Sequence, residues 1–139
     1  MSVIKVGVGA VVFRDQTALL IKRGKPPFLG QWSIPGGSLN YGETIEAAII
    51  REVREETAIE IRLLGLVGVF EAMPDATGAH TVIIDHVAEW MSGEPVAGDD
   101  AAAAEFVPLE DAIARVSWDE TRTALRQAAE FRQRAANRL

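Results

Sequence analysis

The chain has 139 residues, a length typical of one domain, and its 48% hydrophobic and 24% charged residues are ordinary for a folded protein. Its net charge of −6 argues against a sequence-independent grip on nucleic acid or an anionic membrane, and the absence of cysteine excludes disulfides, thiolate catalysis and zinc–sulfur sites. Residues 1–15 lack the features of a signal peptide, and no apolar run is long enough to span a membrane. We therefore expect a cytoplasmic protein.

The first part of the chain predicts strands. Residues 3–13 are rich in valine, isoleucine and glycine, and residues 17–23 follow after a polar turn, so the two segments are predicted to pair as a hairpin. Residues 24–37 carry several glycines and prolines, which predict a loop with a short strand over residues 32–34.

Residues 43–57 are the clearest helix in the sequence, because alanine, glutamate, arginine and isoleucine dominate and glycine and proline are absent. Asn40 or Gly42 is the expected N-terminal cap. At about 100° per residue, two groups of side chains fall on adjacent parts of the helix surface. They are the apolar Ile49, Ile50 and Val53 and the acidic Glu52, Glu55 and Glu56.

The second part of the chain predicts three strands followed by two helices. The predicted elements are strands over 59–72 and 80–91 with a loop at 73–78, a strand and short helix over 105–116 that turn at Pro108, and an amphipathic helix over 119–139. We expect Leu125, Ala128, Ala129 and Phe131 of the last helix to pack against the core. The order of elements predicts an α/β fold of the α+β kind, a mixed β-sheet with helices on its faces.

The three glutamates on the first helix predict a metal site. Like charges at i,i+3 and i,i+4 repel one another on a helix, so Glu52, Glu55 and Glu56 call for a neutralising cation. Hard divalent cations such as Mg²⁺ prefer oxygen ligands, and Mg²⁺ is commonly held by a few carboxylates together with substrate phosphates. A phosphorylated small molecule is therefore compatible with this acidic chain.

The glutamates belong to a longer pattern that resembles the Nudix box, G-x5-E-x7-R-E-U-x-E-E-x-G-U with U aliphatic. The matching residues span 37–59 and are Gly37, Glu43, Arg51, Glu52, Val53, Glu55, Glu56 and Ile59. The resemblance implies the Nudix α/β/α sandwich, formed by residues 1–139 as a single domain. It also implies a hydrolase that cleaves the pyrophosphate bond of a small-molecule nucleotide.

The resemblance further implies a role for each position of the box. Glu52 and Glu56 would be the principal metal ligands, Glu55 would share the metal directly or through water, and the carbonyl of Gly37 would complete the site. Arg51 would hold the glutamates in place, and Glu43 would support the preceding loop. The implied cofactor is Mg²⁺, for which Mn²⁺ would substitute.

Two positions leave questions open. The second glycine of the box is Ala58 here, and alanine in the left-handed conformation usual after a helix costs about 1–2 kcal/mol, so we expect a slightly altered helix exit. The catalytic base of many family members lies outside the box, in a loop before the last strand. Asp100 is the first choice, and Asp99, Glu105 and Glu52 are the alternatives.

The resemblance favours ADP-ribose as the substrate, with AMP and ribose 5-phosphate as products, because ADP-ribose hydrolases often carry a proline near the position of Pro74. One alternative is a nucleoside triphosphate pyrophosphohydrolase of the 8-oxo-dGTP type, and another is a non-catalytic domain that senses a nucleotide. A homodimer is expected by analogy, and neither nucleic acid nor membrane is an expected partner.

Aromatic and basic side chains are the candidates for substrate contacts. A purine could stack on Phe28, Trp32 or Phe70, with core packing as the alternative for Phe28 and the favoured role of Trp32. The phosphates could meet Lys22, Arg23 or Lys25, for which a solvated surface charge is the alternative. His80 and His86 share one face of a predicted strand, but without a third ligand they do not predict a zinc site.

Overall fold

A mixed β-sheet forms the centre of the computed structural model, which describes residues 3–26, 28–74 and 79–138. The strands among these residues are β1 (Val3–Arg14), β2 (Thr17–Arg23), β3 (Trp32–Ser33), β4 (Gly36–Ser38), β5 (Glu60–Ala72), β6 (Ala79–Ser92) and β7 (Ala101–Pro108). The helices are α1 (Ile45–Thr57), α2 (Leu109–Arg115) and α3 (Asp119–Asn137). The sheet runs β3-β2-β1-β6-β5, with β4 paired to β1 and β7 paired to β2.

Strand β1 lies at the middle of the sheet and organises the site. Along one edge it pairs in parallel with β6, from Val3 opposite Ala79 to Phe13 opposite Glu89. Its other edge is shared, because its C-terminal end pairs with β2 whereas Gly7 to Gly9 pair with β4. The short strand β4 is thereby held against the centre of the sheet, directly before the loop that leads into α1.

Each face of the sheet is covered by helices over its own hydrophobic core. The core beneath α2 and α3 includes Val11, Phe13, Val87 and Leu125, and the core beneath α1 includes Val8, Val12, Ile49 and Val53. Alternate residues of β1 and β6 supply the two cores because successive side chains of a strand point to opposite faces. The predicted mixed sheet with helices on its faces is confirmed.

The end of α3 packs as the sequence predicts. Leu125 and Ala128 are fully buried, and Ala129 and Phe131 lie against the same core. The Phe131 ring fills the space beside Gly65 of β5, where an added Cβ would lie 2.4 Å from the ring. The predicted loop at 73–78 lies outside the described residues from position 75 onward, as does residue 139 of the predicted helix.

Three local predictions are wrong. Helix α1 begins at Ile45, and its cap is Thr44, whose side chain accepts a hydrogen bond from the Ala47 N–H at 3.1 Å, rather than Asn40 or Gly42. Strand β4 lies in the predicted loop, and β7 begins at Ala101, four residues before the prediction. Glycine and alanine are poor strand formers, so pairing with β1 and β2 rather than local propensity explains these two strands.

The expected change at the end of α1 is also absent. Ala58 keeps the left-handed conformation, with φ 62° and ψ 18°, and its N–H donates to the Arg54 carbonyl at 2.9 Å. Gly93 packs against this turn so closely that an added Cβ would lie 2.8 Å from the Ala58 carbonyl oxygen. Surrounding contacts thus hold the turn in a conformation that alanine disfavours.

Candidate active site

Arg51 ties the acidic side chains of α1 to the loop before it. Its Nε donates to Glu43 Oε2 at 2.7 Å, and its Nη1 donates to Glu52 Oε1 at 2.8 Å and to Glu55 Oε2 at 3.3 Å. Its Nη2 reaches Glu43 Oε1 and the Ser38 carbonyl, both at 2.9 Å. The hydrogen bond from Arg51 lowers the pKa of Glu43, and the same bond raises the pKa of Arg51. The guanidinium therefore fixes the positions of three carboxylates at once.

Glu52 and Glu56 lie in the narrow space between α1 and β4. They are only 9% and 3% exposed, whereas the side chain of Glu55 is 44% exposed. Glu56 Oε1 accepts a hydrogen bond from the Gly36 N–H at 2.8 Å. Burial, reinforced by the charges of Glu52 and Asp99, raises the pKa of Glu56 to about 8, and burial also raises the pKa of Glu52. Burial is the main cause of both shifts, and the charge of Glu52 adds to the shift of Glu56, so the two carboxylates lie close to one another.

Glycines make the close approach of β4 possible. A Cβ on Gly37 would lie 2.3–2.5 Å from the carboxyl atoms of Glu52, and a Cβ on Gly36 would lie 2.3 Å from the Val8 carbonyl oxygen. A side chain at Gly36 would push β4 away from β1, and a side chain at Gly37 would displace the Glu52 carboxylate. The backbone of the box glycine is thus placed directly against Glu52.

The loop before β7 brings Asp99, rather than Asp100, to the glutamates. Asp99 is close enough for its charge to raise the pKa of both Glu52 and Glu56. The carboxylate of Asp100 forms an ion pair with Lys25 Nζ at 3.0 Å, and Glu105 pairs with Arg115. The loop is fastened to α1 by the Gly98 N–H, which donates to the Glu56 carbonyl at 3.0 Å.

A cavity of about 340 Å³ opens on the other face of the sheet, below the start of α3. Arg23, Phe28, Trp32 and Phe70, four of the predicted substrate-contact residues, line it. Lys22 is not among the described residues that do so. Trp32 and Phe70 also pack against the core beneath α2 and α3, and Arg115 lies over the Trp32 ring at 4.7 Å. Core packing and cavity lining therefore both apply to Trp32.

The cavity and the glutamates meet at β4. Gly36 and Gly37 line the cavity on one side, and on the other they contact Glu56 and Glu52. Arg23 also lines the cavity, and its positive charge offsets a small part of the rise in the pKa of Glu56. A ligand of nucleotide size could therefore place its base in the cavity and extend its phosphates past these glycines.

One buried group of the cavity has no counterpart in the sequence predictions. Asp85 of β6 lines the cavity and is 5% exposed. In the sequence it is a single aspartate within an apolar strand, and only the pairing with β1 shows where it lies. The glycines at positions 7 and 9 could have suggested an open surface, because alternate residues of a strand share one face.

The histidines do not form a metal site in the described part of the chain. His80 Nε2 lies 2.9 Å from Glu71 Oε2, and the ring of His86 is half-buried on the α1 side of the sheet. Across residues 3–26, 28–74 and 79–138, no three histidine, aspartate or glutamate side chains converge as a preformed metal cage. Nor does any helix in these ranges have the length and apolar character to cross a membrane.

Comparison with known proteins identifies the protein family that the fold and the sequence pattern of residues 37–59 indicate. Residues 3–128 match the family model described as the NUDIX domain. The chain therefore belongs to the Nudix family and is a Nudix hydrolase. Such enzymes act on small-molecule nucleotides and generally use divalent metal ions.

Individual relatives carry two different substrate names. The ADP-ribose pyrophosphatase of Methanocaldococcus jannaschii is 36% identical over 114 residues, which are 82% of this chain and 67% of that protein. A Mycobacterium tuberculosis protein provisionally named 8-oxo-dGTP diphosphatase 2 is 33% identical and covers 91% of this chain and 95% of its own length. The crystal structure of a MutT NUDIX hydrolase from Burkholderia pseudomallei aligns with a TM-score of 0.78 at 33% identity, over 91% of this chain and 98% of that one. The cytoplasmic location, the single domain over 1–139 and the homodimer stay predictions.

Proposed function

We propose that this hydrolase cleaves the pyrophosphate bond of a nucleoside diphosphate linked to another group, and that ADP-ribose is the favoured substrate. The observation that carries the proposal is the meeting of the aromatic cavity and the buried glutamates at Gly36 and Gly37. Attack of water on one phosphorus would give AMP and ribose 5-phosphate. The name of the M. jannaschii relative and the position of Pro74 support ADP-ribose.

The residues at β4 and α1 fit Mg²⁺. Glu52 and Glu56 offer buried carboxylate oxygens beside the backbone of Gly37 and Gly36, and the negative charge of Glu52 contributes to the raised pKa of Glu56. Mg²⁺ is usually bound through one or two carboxylates plus substrate phosphates, so the site needs no cage of three protein side chains. Glu52, Glu56 and the Gly37 carbonyl would hold the ion, Glu55 would contact it directly or through water, and Mn²⁺ would substitute.

The protein side chains position the reactants around this site. When bound, Mg²⁺ would neutralise the diphosphate and lower the pKa of the attacking water. Arg51 keeps Glu52 and Glu55 oriented through the hydrogen bonds described above. Phe28 and Trp32 would enclose the base, and Arg23 would meet the phosphates where the cavity reaches the glutamates.

For the proton acceptor we propose Asp99 in place of Asp100. Asp99 is the loop carboxylate whose charge acts on Glu52 and Glu56, whereas Lys25 engages Asp100. A general base must lie within reach of the water that it activates, and the glutamates mark that position. Glu52, whose pKa is raised by burial, is the alternative base.

The test is AMP formation from ADP-ribose with Mg²⁺. Glu56→Gln, which removes the ligand charge, should lower kcat/KM by about a hundredfold or more. Glu46→Gln on the same helix is the matched control, because Glu46 is exposed in the first turn, and should stay within about threefold of the wild type. If the wild type forms no AMP, ADP-ribose is not the substrate. If Glu56→Gln and Glu46→Gln lose the same fraction of kcat/KM, the assignment of Glu56 as a metal ligand is refuted.

Nucleoside triphosphate hydrolysis to monophosphate and pyrophosphate is the second candidate. The M. tuberculosis relative favours it, since its alignment covers nearly the whole of both proteins. The site described above would serve either reaction, and only the group beyond the cleaved bond differs. Release of pyrophosphate from 8-oxo-dGTP with a kcat/KM above that for AMP formation from ADP-ribose would favour this candidate.

A further inference from the structure

A buried carboxyl group without a partner lies in the wall of the cavity. Asp85 stands on β6 opposite Gly9 of β1, and it lines the cavity although only 5% of it is exposed. Its Oδ1 is buried, and no hydrogen-bond donor of the described residues reaches it. Buried polar groups in folded proteins nearly always have partners, and the small exposed part of this carboxyl group faces the cavity, where a ligand could supply one.

The strand beside Asp85 leaves room for a flat ligand. Gly7 and Gly9 lie on the same face of β1 and both line the cavity, so that part of its floor has no side chains. A Cβ on Gly9 would lie 2.4 Å from Asp85 Oδ1 and 3.5 Å from Ile34 Cδ1. The Asp85 carboxyl group therefore occupies the space above Gly9, and the aromatic rings of Phe28, Trp32 and Phe70 supply apolar walls of the same cavity.

We propose that Asp85 determines the base specificity of this site by accepting a hydrogen bond from the exocyclic amino group of a nucleobase. The proposal rests on the proposed function, because it assigns the base to this cavity. Adenine, cytosine and guanine carry such an amino group, whereas hypoxanthine and uracil do not. A keto oxygen facing the ionised carboxylate would be repelled, so in its ionised form the carboxyl also discriminates against bases that present only oxygen there.

The carboxyl oxygen can accept this hydrogen bond in either protonation state. Burial raises the pKa of Asp85 to about 7, so both states occur near neutral pH. An ionised carboxylate accepts with both oxygens, and a protonated one still accepts through its carbonyl oxygen. Recognition of an amino group therefore does not require one charge state.

The test is equilibrium binding of nucleoside monophosphates without metal, measured by calorimetry. Three matched pairs differ mainly in the amino group: AMP and purine riboside monophosphate, GMP and inosine monophosphate, and CMP and uridine monophosphate. In at least one pair, the wild type should bind the nucleotide with the amino group about tenfold or more tightly than the nucleotide without it. We expect this difference in the adenine pair. Equal binding within every pair, or no binding of any nucleotide, would overturn the proposal, and this comparison needs no variant.

Variants then locate the discrimination at Asp85. Asp85→Leu should abolish it, with each pair equal within about threefold, whereas Asp85→Asn should keep it in the adenine pair, which has no keto oxygen, because an amide oxygen accepts the same hydrogen bond. His86→Leu is the matched control, since His86 is the next residue on β6, also has an unpartnered buried nitrogen, and lies on the α1 face. It should keep the wild-type ratio.

The outcomes separate this proposal from the proposed function. An unchanged ratio in Asp85→Leu, with folding checked by circular dichroism, would overturn the role of Asp85 whatever the enzyme hydrolyses. Discrimination that disappears in Asp85→Leu and survives in Asp85→Asn would support it. Such binding in a protein that releases no AMP from ADP-ribose would leave Asp85 in its role and refute only the choice of substrate.

Discussion

Asp85→Asn should change how the free energy of unfolding depends on pH. Burial raises the pKa of the Asp85 carboxyl from 3.8 to about 7 in the folded protein. The folded state then holds a proton that the unfolded state has released, so the carboxyl favours folding fully below about pH 4, and this contribution is lost as pH rises through 7. Asparagine has no proton to lose and removes the dependence.

The size of the effect follows from the two pKa values. Between pH 5 and pH 8, linkage between protonation and folding predicts that the wild type loses about 2–3 kcal/mol of stability relative to Asp85→Asn. Glu52 and Glu56 titrate in both proteins, so their contributions cancel in the difference. For a urea dependence of about 1.5 kcal/mol per molar, the gap between the two unfolding midpoints should change by about 1.5–2 M.

The assay is urea unfolding of both proteins at pH 5, 6, 7 and 8 with EDTA present. Asp111→Asn, the same chemical change at an exposed position of α2, controls for the general loss of a negative charge. Parallel stability curves for the wild type and Asp85→Asn would refute the reasoning, because the carboxyl would then titrate alike in the folded and unfolded chains. A gap that appears equally in Asp111→Asn would refute it as well.

Three further changes test other parts of the site. Ala58→Gly should raise the free energy of unfolding by about 1 kcal/mol, since glycine relieves the left-handed strain at φ 62°; an unchanged melting temperature would contradict this. Gly37→Ala should destabilise the protein by about 1–3 kcal/mol, because its Cβ would displace the Glu52 carboxylate from its hydrogen bond with Arg51; thermal unfolding measures it, and a neutral effect would mean that the Glu52 side chain moves aside freely. Asp99→Asn should lower kcat about a hundredfold and Asp100→Asn less than threefold, and the reverse order would restore Asp100 as the base.

Local patterns made much of the fold and the acid cluster predictable. The spacing of Glu52 and Glu56 on α1 follows from helix geometry alone, as does the burial of Ile49 and Val53 beside them. A composition rich in β-branched residues predicted β1, and the predicted bounds of the long strands β1, β5 and β6 lie within one residue of the observed ends. Each of these features depends on residues fewer than five positions apart, and such distances are set by the helix or strand itself.

Contacts between distant segments were not predictable. The pairing of Gly9 with Asp85 joins residues that are far apart in the chain, and no local rule gives the register of a parallel strand pair. The choice between Asp99 and Asp100 depends on which way a loop turns, and the positive φ of 52° at Asp99 sets that turn. In both cases the tertiary arrangement, not the residue type, decides which carboxylate reaches the site.

The glycines of β1 and β4 allow the cavity on one face of the sheet to lie next to the glutamates on the other face. Gly9 pairs with Gly36, so the residues that clear the cavity floor lie beside those that admit Glu52 and Glu56 from the other face. Glycine in a strand costs about 0.5–1 kcal/mol relative to alanine, so this stretch gives up stability that a sheet without a site would keep. The burial of apolar side chains in the two hydrophobic cores offsets that cost. A side chain at Gly36 would meet the backbone of Val8 and Gly9 and push β4 away from β1, so the strand at which the cavity and the glutamates meet would lose its place in the sheet.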